Sequence, residues 1–172
     1  TDLTIEQTDF ATLRELELSE WKGNTPKRIL QMPTPEEYVE ICKKYEKMCV
    51  LELKNPMTRE AIEKVIDRIR ALDYLDHTVF ISFCWENLVT VRELLPEQSV
   101  QFLFGSFTEE LIRQIIDNRF DVDVYHKSLT KELVDRLHAA GRTVNVWTVD
   151  DPAVAEQLAD WGIDYITSNI LE

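Results

Sequence analysis

Met48-Cys49-Val50-Leu51-Glu52-Leu53-Lys54, followed at once by Asn55-Pro56, decides the fold. The run is short and apolar, and it stops at a proline that cannot extend a hydrogen-bonded ladder, so it predicts a β-strand. Side chains alternate along a strand. Val50, Glu52 and Lys54 therefore share one face, and Leu51 and Leu53 the other. No core needs a carboxylate and an ammonium together at a strand's C-terminal end. Either they form a surface ion pair, which contributes little, or they stand at the rim of a site, because parallel α/β sheets bind ligands at the C-terminal ends of their strands.

Outward from this strand a pattern repeats. Upstream, Thr34-Pro35-Glu36-Glu37 has the cap, proline and third-position glutamate of a helix start. Tyr38, Ile41, Cys42 and Tyr45 are the expected buried face of that helix. Earlier still, Thr4-Ile5-Glu6-Gln7 has capping-box spacing, Phe10, Leu13 and Leu16 form a short apolar stripe, and residues 21–26 read as a loop. Downstream, helical periodicity covers residues 58–72, 86–95, 108–118, 130–140 and 151–161. Between these lie runs rich in β-branched and aromatic residues at 78–83, 100–104, 122–125, 143–148 and 163–167. Strict alternation of strand and helix predicts parallel strands joined by right-handed crossovers. That leaves an open doubly wound sheet or part of a closed (β/α)8 barrel. The sequence has no Gly-rich phosphate loop and no dinucleotide fingerprint, and polar inner-face pairs such as Glu52 with Lys54 and Asn145 with Trp147 suit a barrel mouth.

Composition sets the bounds. With 172 residues, 44% hydrophobic and 30% charged, the chain can bury one substantial core, so residues 1–172 are expected to form a single domain. The net charge of −13 disfavours nucleic acid and anionic membrane surfaces as partners, since both require basic patches. An anionic substrate would then have to be drawn in by a local cation. Cys42, Cys49 and Cys84 cannot all pair within one chain, and they fall on or beside apolar segments; reduced core thiols and a cytoplasmic location are expected. No zinc-ligand spacing and no apolar run long enough to span a bilayer is present. Thr1-Asp2-Leu3 lacks an initiator methionine, which points to an upstream segment.

Several motifs, in order, resemble the glycerophosphodiester phosphodiesterases. Leu51-Glu52-Leu53-Lys54 is similar to that family's Glu-x-Lys strand, and Met32-Pro33-Thr34-Pro35-Glu36-Glu37 to the helix start before it. Ile81-Ser82-Phe83 is similar to the next strand's Ser-Phe, and Leu94-Leu95-Pro96 to the turn that follows. Val144-Asn145-Val146-Trp147-Thr148-Val149-Asp150 resembles a strand ending Trp-Thr-Val-Asn. The segment from Gly162 through Ile163-Asp164-Tyr165-Ile166-Thr167-Ser168-Asn169 resembles the closing strand, which ends Thr-Asp. The resemblance implies a (β/α)8 TIM barrel that hydrolyses glycerophosphodiesters, substrates of lipid metabolism, to an alcohol and glycerol phosphate. It implies a magnesium or calcium ion held in part by Glu52, a phosphate-facing Lys54, and a substrate pocket lined by Trp147 and Phe83. Carboxylate oxygens suit such hard cations, and a metal with an ammonium neutralises charge on phosphoryl oxygens.

The same resemblance marks what this sequence lacks. The family's opening His-Arg-Gly, Glu-x-Asp and His-Asp motifs are absent, and with them both proton-transfer histidines and two metal carboxylates. A (β/α)8 barrel needs ~250 residues, so the first strand–helix units are expected to be missing. The chain alone is expected to be inactive and to self-associate, unless an N-terminal segment completes it. The alternative is a barrel-derived binding or interaction domain without catalysis. Among the remaining residues, His126 follows a strand and could act as an acid or base at the mouth, whereas His77 and His138 read as exposed. Asp121 and Asp123 read either as replacement ligands or as solvated carboxylates at a strand's start.

Overall fold

The computed structural model describes residues 3–16 and 31–171. The loop expected at 21–26 lies outside them. Six parallel strands run β1 (Cys49–Glu52), β2 (Thr78–Ser82), β3 (Val100–Phe104), β4 (Asp121–Tyr125), β5 (Val144–Trp147) and β6 (Tyr165–Ile166). They are hydrogen-bonded side by side in chain order. The helices α2 (Pro35–Lys44), α3 (Arg59–Ala71), α4 (Trp85–Leu94), α5 (Glu109–Asp117), α6 (Lys131–Ala139) and α7 (Pro152–Asp160) alternate with them, and a short α1 (Phe10–Arg14) comes first. Alternation of parallel strand and crossover helix in chain order, as the sequence predicts, is how a (β/α)8 barrel is built.

One face of the sheet meets the helices. Cys49, Leu53, Phe80, Val100, Phe102, Val122, Val124, Val144 and Val146 are buried against Val39, Ile62, Ile66, Leu88, Ile112, Ile115, Leu137 and Leu158 from α2 to α7. The other face carries Glu52, Ile81, Gln101, Leu103, Asp123, Tyr125, Asn145 and Trp147 by alternation along the strands. This inner face is concave. Phe83, just past β2, meets Trp147 at the end of β5 with ring centroids 5.8 Å apart. In a flat sheet their strands, three apart, would be separated by ~14 Å. Asn145 likewise reaches over β4 to Gln101 of β3, with Nδ2 donating to Oε1 at 3.1 Å.

Two sequence expectations fail locally. The cap before α1 is Asp9, whose Oδ1 accepts from Thr12 N at 3.0 Å; Thr4 makes no cap, and residues 5–7 form only a 3-10 turn. Leu13 is buried, but Phe10 and Leu16 are exposed. In α2 the expected capping box does form at Thr34 and Glu37. Its buried residues, however, are Val39 and Cys42, while Ile41 and Tyr45 are each 60% exposed. Of the expected stripe only Cys42 is buried, and Val39, outside that stripe, is the other residue of the covered side.

Candidate functional site

The C-terminal end of β1 is held by a buried clasp. Ser82 Oγ donates to Leu53 O at 2.6 Å, and Asn87 Nδ2 donates to Leu53 O at 3.2 Å and to Asn55 O at 2.9 Å. Asn87 Oδ1 accepts from Met57 N at 3.0 Å, so one amide side chain secures the whole turn after the strand. Both residues are buried. Glu52 and Lys54 flank the clasped Leu53. Lys54 Nζ lies 3.2 Å from Glu52 Oε1 and 3.4 Å from Oε2. Only the Oε2 contact has hydrogen-bonding geometry, so the buried Oε1 has no hydrogen bond. The lysine side chain is 73% exposed, and a pair this open contributes only ~0–1 kcal/mol. Either partner can leave the pair for a ligand at little cost.

An aromatic wall stands opposite. Trp147 touches Phe83 edge to face and Tyr125 at 5.2 Å between ring centroids. Its indole N–H donates to Asp123 O at 3.1 Å, which fixes the ring over β4. His126, the first residue after β4, packs edge-on against Tyr125 at 5.2 Å. Burial, then the Lys127 charge, holds its imidazole below the usual histidine range. Tyr125 carries no signal in the sequence beyond its place on the inner face; its role in the wall needs the curl that brings β4 and β5 under Phe83.

The inner face of β3, β4 and β5 carries a polar layer. Gln101 and Asn145 satisfy each other, and Thr167 Oγ1 approaches Asn145 Oδ1 at 3.5 Å. Asp123 sits between them on β4, in register with Leu103 and Asn145. It is 2% exposed, and its Oδ1 has no hydrogen bond. Burial, and then the charge of Glu52, push its carboxyl up to about 7. Asp123 is therefore no solvated strand-start residue, because the curl of the sheet closes over it. Asp121, two residues earlier, is different. Its Oδ1 accepts from Thr143 N at 2.9 Å and lies 3.9 Å from Arg142, although burial still raises its pKa. Its oxygen is committed to the backbone.

The remaining candidates lie elsewhere. His77 is exposed at the N-terminal side of β2. His138, expected to be exposed, is half-buried, with Nε2 2.9 Å from Asp164 Oδ2, an oxygen that also accepts from Val144 N. That contact ties α6 to the start of β6. At the mouth, Asp150 Oδ1 accepts from Asn169 N at 2.8 Å and from Ser168 Oγ at 3.1 Å. Its Oδ2 accepts from Asn169 Nδ2 at 3.0 Å. The acid of the closing Thr-Asp motif has here become Ser168, and a carboxylate stands instead at the facing position 150. These bonds link the loop after β5 to the loop after β6.

Comparisons with known proteins agree with this architecture. The family model described as "Glycerophosphoryl diester phosphodiesterase family" matches residues 1–171. A glycerophosphodiester phosphodiesterase from Bacillus subtilis (strain 168) is 27% identical over 152 residues, 81% of this chain and 52% of that protein. The crystal structure of a glycerophosphodiester phosphodiesterase from Parabacteroides distasonis has a TM-score of 0.80 at 27% identity, covering 96% of this chain and 68% of that one. An Oleispira antarctica phosphodiesterase, solved in complex with the product sn-glycerol-3-phosphate, has a TM-score of 0.83 at 23% identity, covering 98% of this chain and 69% of that one. The chain thus spans about half the length of the curated relative and about two thirds of the solved structures.

Proposed function

Because this chain belongs to the glycerophosphoryl diester phosphodiesterase family, we propose that it supplies most of a barrel that hydrolyses glycerophosphodiesters to an alcohol and glycerol phosphate. The observation that carries the reading is the gathering of Glu52, Lys54, Phe83 and Trp147 at the same ends of parallel strands. A hard divalent cation, magnesium or calcium, fits the residues present. Glu52 Oε1 is a buried carboxylate oxygen without a hydrogen bond, the donor type such ions prefer. When bound, the ion would neutralise charge on the phosphoryl oxygens.

The chain's own residues have distinct tasks. Lys54 swings from Glu52 to the phosphate, since their exposed pair holds it weakly. Phe83 and Trp147 form the apolar side of the pocket and shield the phosphodiester from bulk water. Of the three histidines only His126 follows the C-terminal end of a strand, and its lowered pKa keeps it neutral and able to accept a proton near pH 7. With the proton-transfer histidines of the family pattern absent from this sequence, the chain by itself is expected to turn over slowly. Three unpaired cysteines support a reducing, cytoplasmic setting.

The test is hydrolysis of a panel of glycerophosphodiesters with added magnesium or calcium, by residues 1–172 alone and by the same chain completed with the family's first strand–helix units. The completed protein should be active, and Glu52→Gln should remove most of its cation-dependent turnover. A Glu52→Gln variant as active as the parent at saturating cation would remove Glu52 from the ligand set. A completed protein without hydrolysis would leave a binding domain in the enzyme's place.

A further inference from the structure

We propose that Asp123 is a second carboxylate of the cation site, reaching it from β4 across the concave face from Glu52. The resemblance to known enzymes assigns no role to this position; their carboxylates come from Glu-x-Asp and Glu-x-Lys strands. The inference rests on the reading of Glu52 as a cation ligand, and extends it to a residue three strands away.

The argument starts from an unsatisfied atom. Asp123 is 2% exposed, yet its Oδ1 has no hydrogen bond. The neighbouring donors are spent on other acceptors. Asn145 Nδ2 gives its hydrogen bond to Gln101, and the Trp147 indole N–H goes to the backbone oxygen of Asp123 rather than to its side chain. Arg142 and the amide of Thr143 serve Asp121 instead. The chain thus compensates one carboxylate of β4 and leaves the other bare. A buried carboxylate without a partner is among the most costly groups a fold can hold. Leucine or asparagine at 123 would fill the same space more cheaply, so the cost points to a ligand rather than to packing.

Glu52 presents the matching feature. Its Oε1 is also buried without a hydrogen bond, and it lies near enough for its charge to act on Asp123. Asp123 Oδ1 has no partner and Glu52 Oε1 has only its exposed ion pair with Lys54, so a divalent cation held in common would stabilise both carboxylates. Among the described residues no group of three potential metal-binding side chains occurs. Two carboxylates match the way magnesium is usually held, by one or two carboxylates together with waters and the substrate's phosphate oxygens.

The test is calorimetric titration of magnesium and of calcium into the completed protein and its Asp123→Asn, Asp123→Glu and Glu52→Gln variants, with the cation-induced rise in Tm as a second readout. Asn preserves shape and removes charge, and circular dichroism verifies the fold. Asp123→Asn should weaken binding at least tenfold and shrink the Tm rise, while Asp123→Glu should retain part of both. Parent-like cation affinity in Asp123→Asn overturns the inference. It does so too if Asp123→Asn fails to fold and Asp123→Glu, whose carboxylate is displaced by a methylene, binds both ions as tightly as the parent. Parent-like affinity in Glu52→Gln together with lost affinity in Asp123→Asn supports the assignment of Asp123 and overturns the role given to Glu52. A parent protein that binds neither ion overturns both.

Discussion

At the scale of single residues, Asp123 links pH to stability. Its folded pKa of about 7 lies above the ordinary 3.8, so between these values the native state holds a proton that the unfolded chain has released. Stability must then fall as pH rises from about 4 to about 7, and stay low above that. The loss at this site amounts to as much as ~4 kcal/mol. Asp123→Asn should accordingly gain stability over the parent at pH 8 but hardly at pH 4, measured by urea unfolding with EDTA present. A difference that does not change with pH would exclude Asp123 as the titrating group. Lys54 behaves differently because it is exposed and only loosely paired. Lys54→Met should leave the fold intact and lower kcat by ~10²–10³, the usual effect of removing one preorganised donor to a developing anion. A kcat within twofold of the parent would place the phosphate elsewhere.

At the scale of elements, the turn after β1 is the part that positions the site. Asn87, at the start of α4, is bonded to Leu53, Asn55, Met57 and Ser82, so its amide joins β1, β2 and α4 in one buried knot. Asn87→Ala would strand several backbone groups. It should cost ~1–3 kcal/mol for each group left unsatisfied and loosen Glu52 and Lys54 together. The check is a lowered Tm with a raised KM; an unchanged KM would separate the clasp from the site. The start of α2 is a smaller device. Thr34 and Glu37 form a full capping box, and Arg14 of α1 holds Glu37 down to about 2. Thr34→Ala should lower stability by ~1 kcal/mol in the same urea measurement, without affecting catalysis.

At the scale of the molecule, the sheet has two outer edges. Among the described residues no strand pairs with the outer side of β1 or β6. Tyr38 Oη donates to Val50 O at 3.2 Å and so covers one edge group, but Val50 and Tyr165 remain exposed. Unpaired parallel edges beside exposed apolar side chains invite pairing with another chain. Residues 1–172 alone are expected to self-associate with rising concentration in analytical ultracentrifugation, and the completed barrel to stay monodisperse. A strictly monomeric fragment at high concentration would mean that the edges are covered.

The order of strands and helices was legible in the sequence because each element carries its own period, and period is local. The parity of β1 and β5 likewise placed Glu52 and Trp147 on one face, and alternation put their ends together. Tertiary structure alone decided which faces would be covered. Ile41 and Tyr45 share the helical spacing of buried Cys42 yet lie on the uncovered side of α2. His138 found its partner 26 residues away in Asp164. From the sequence Asp123 reads either as a replacement ligand or as a solvated carboxylate, and its burial on the curled inner face with a bare oxygen removes the second reading. A side chain's direction follows from its own few residues, whereas burial and electrostatic company depend on strands and helices brought together from across the whole chain.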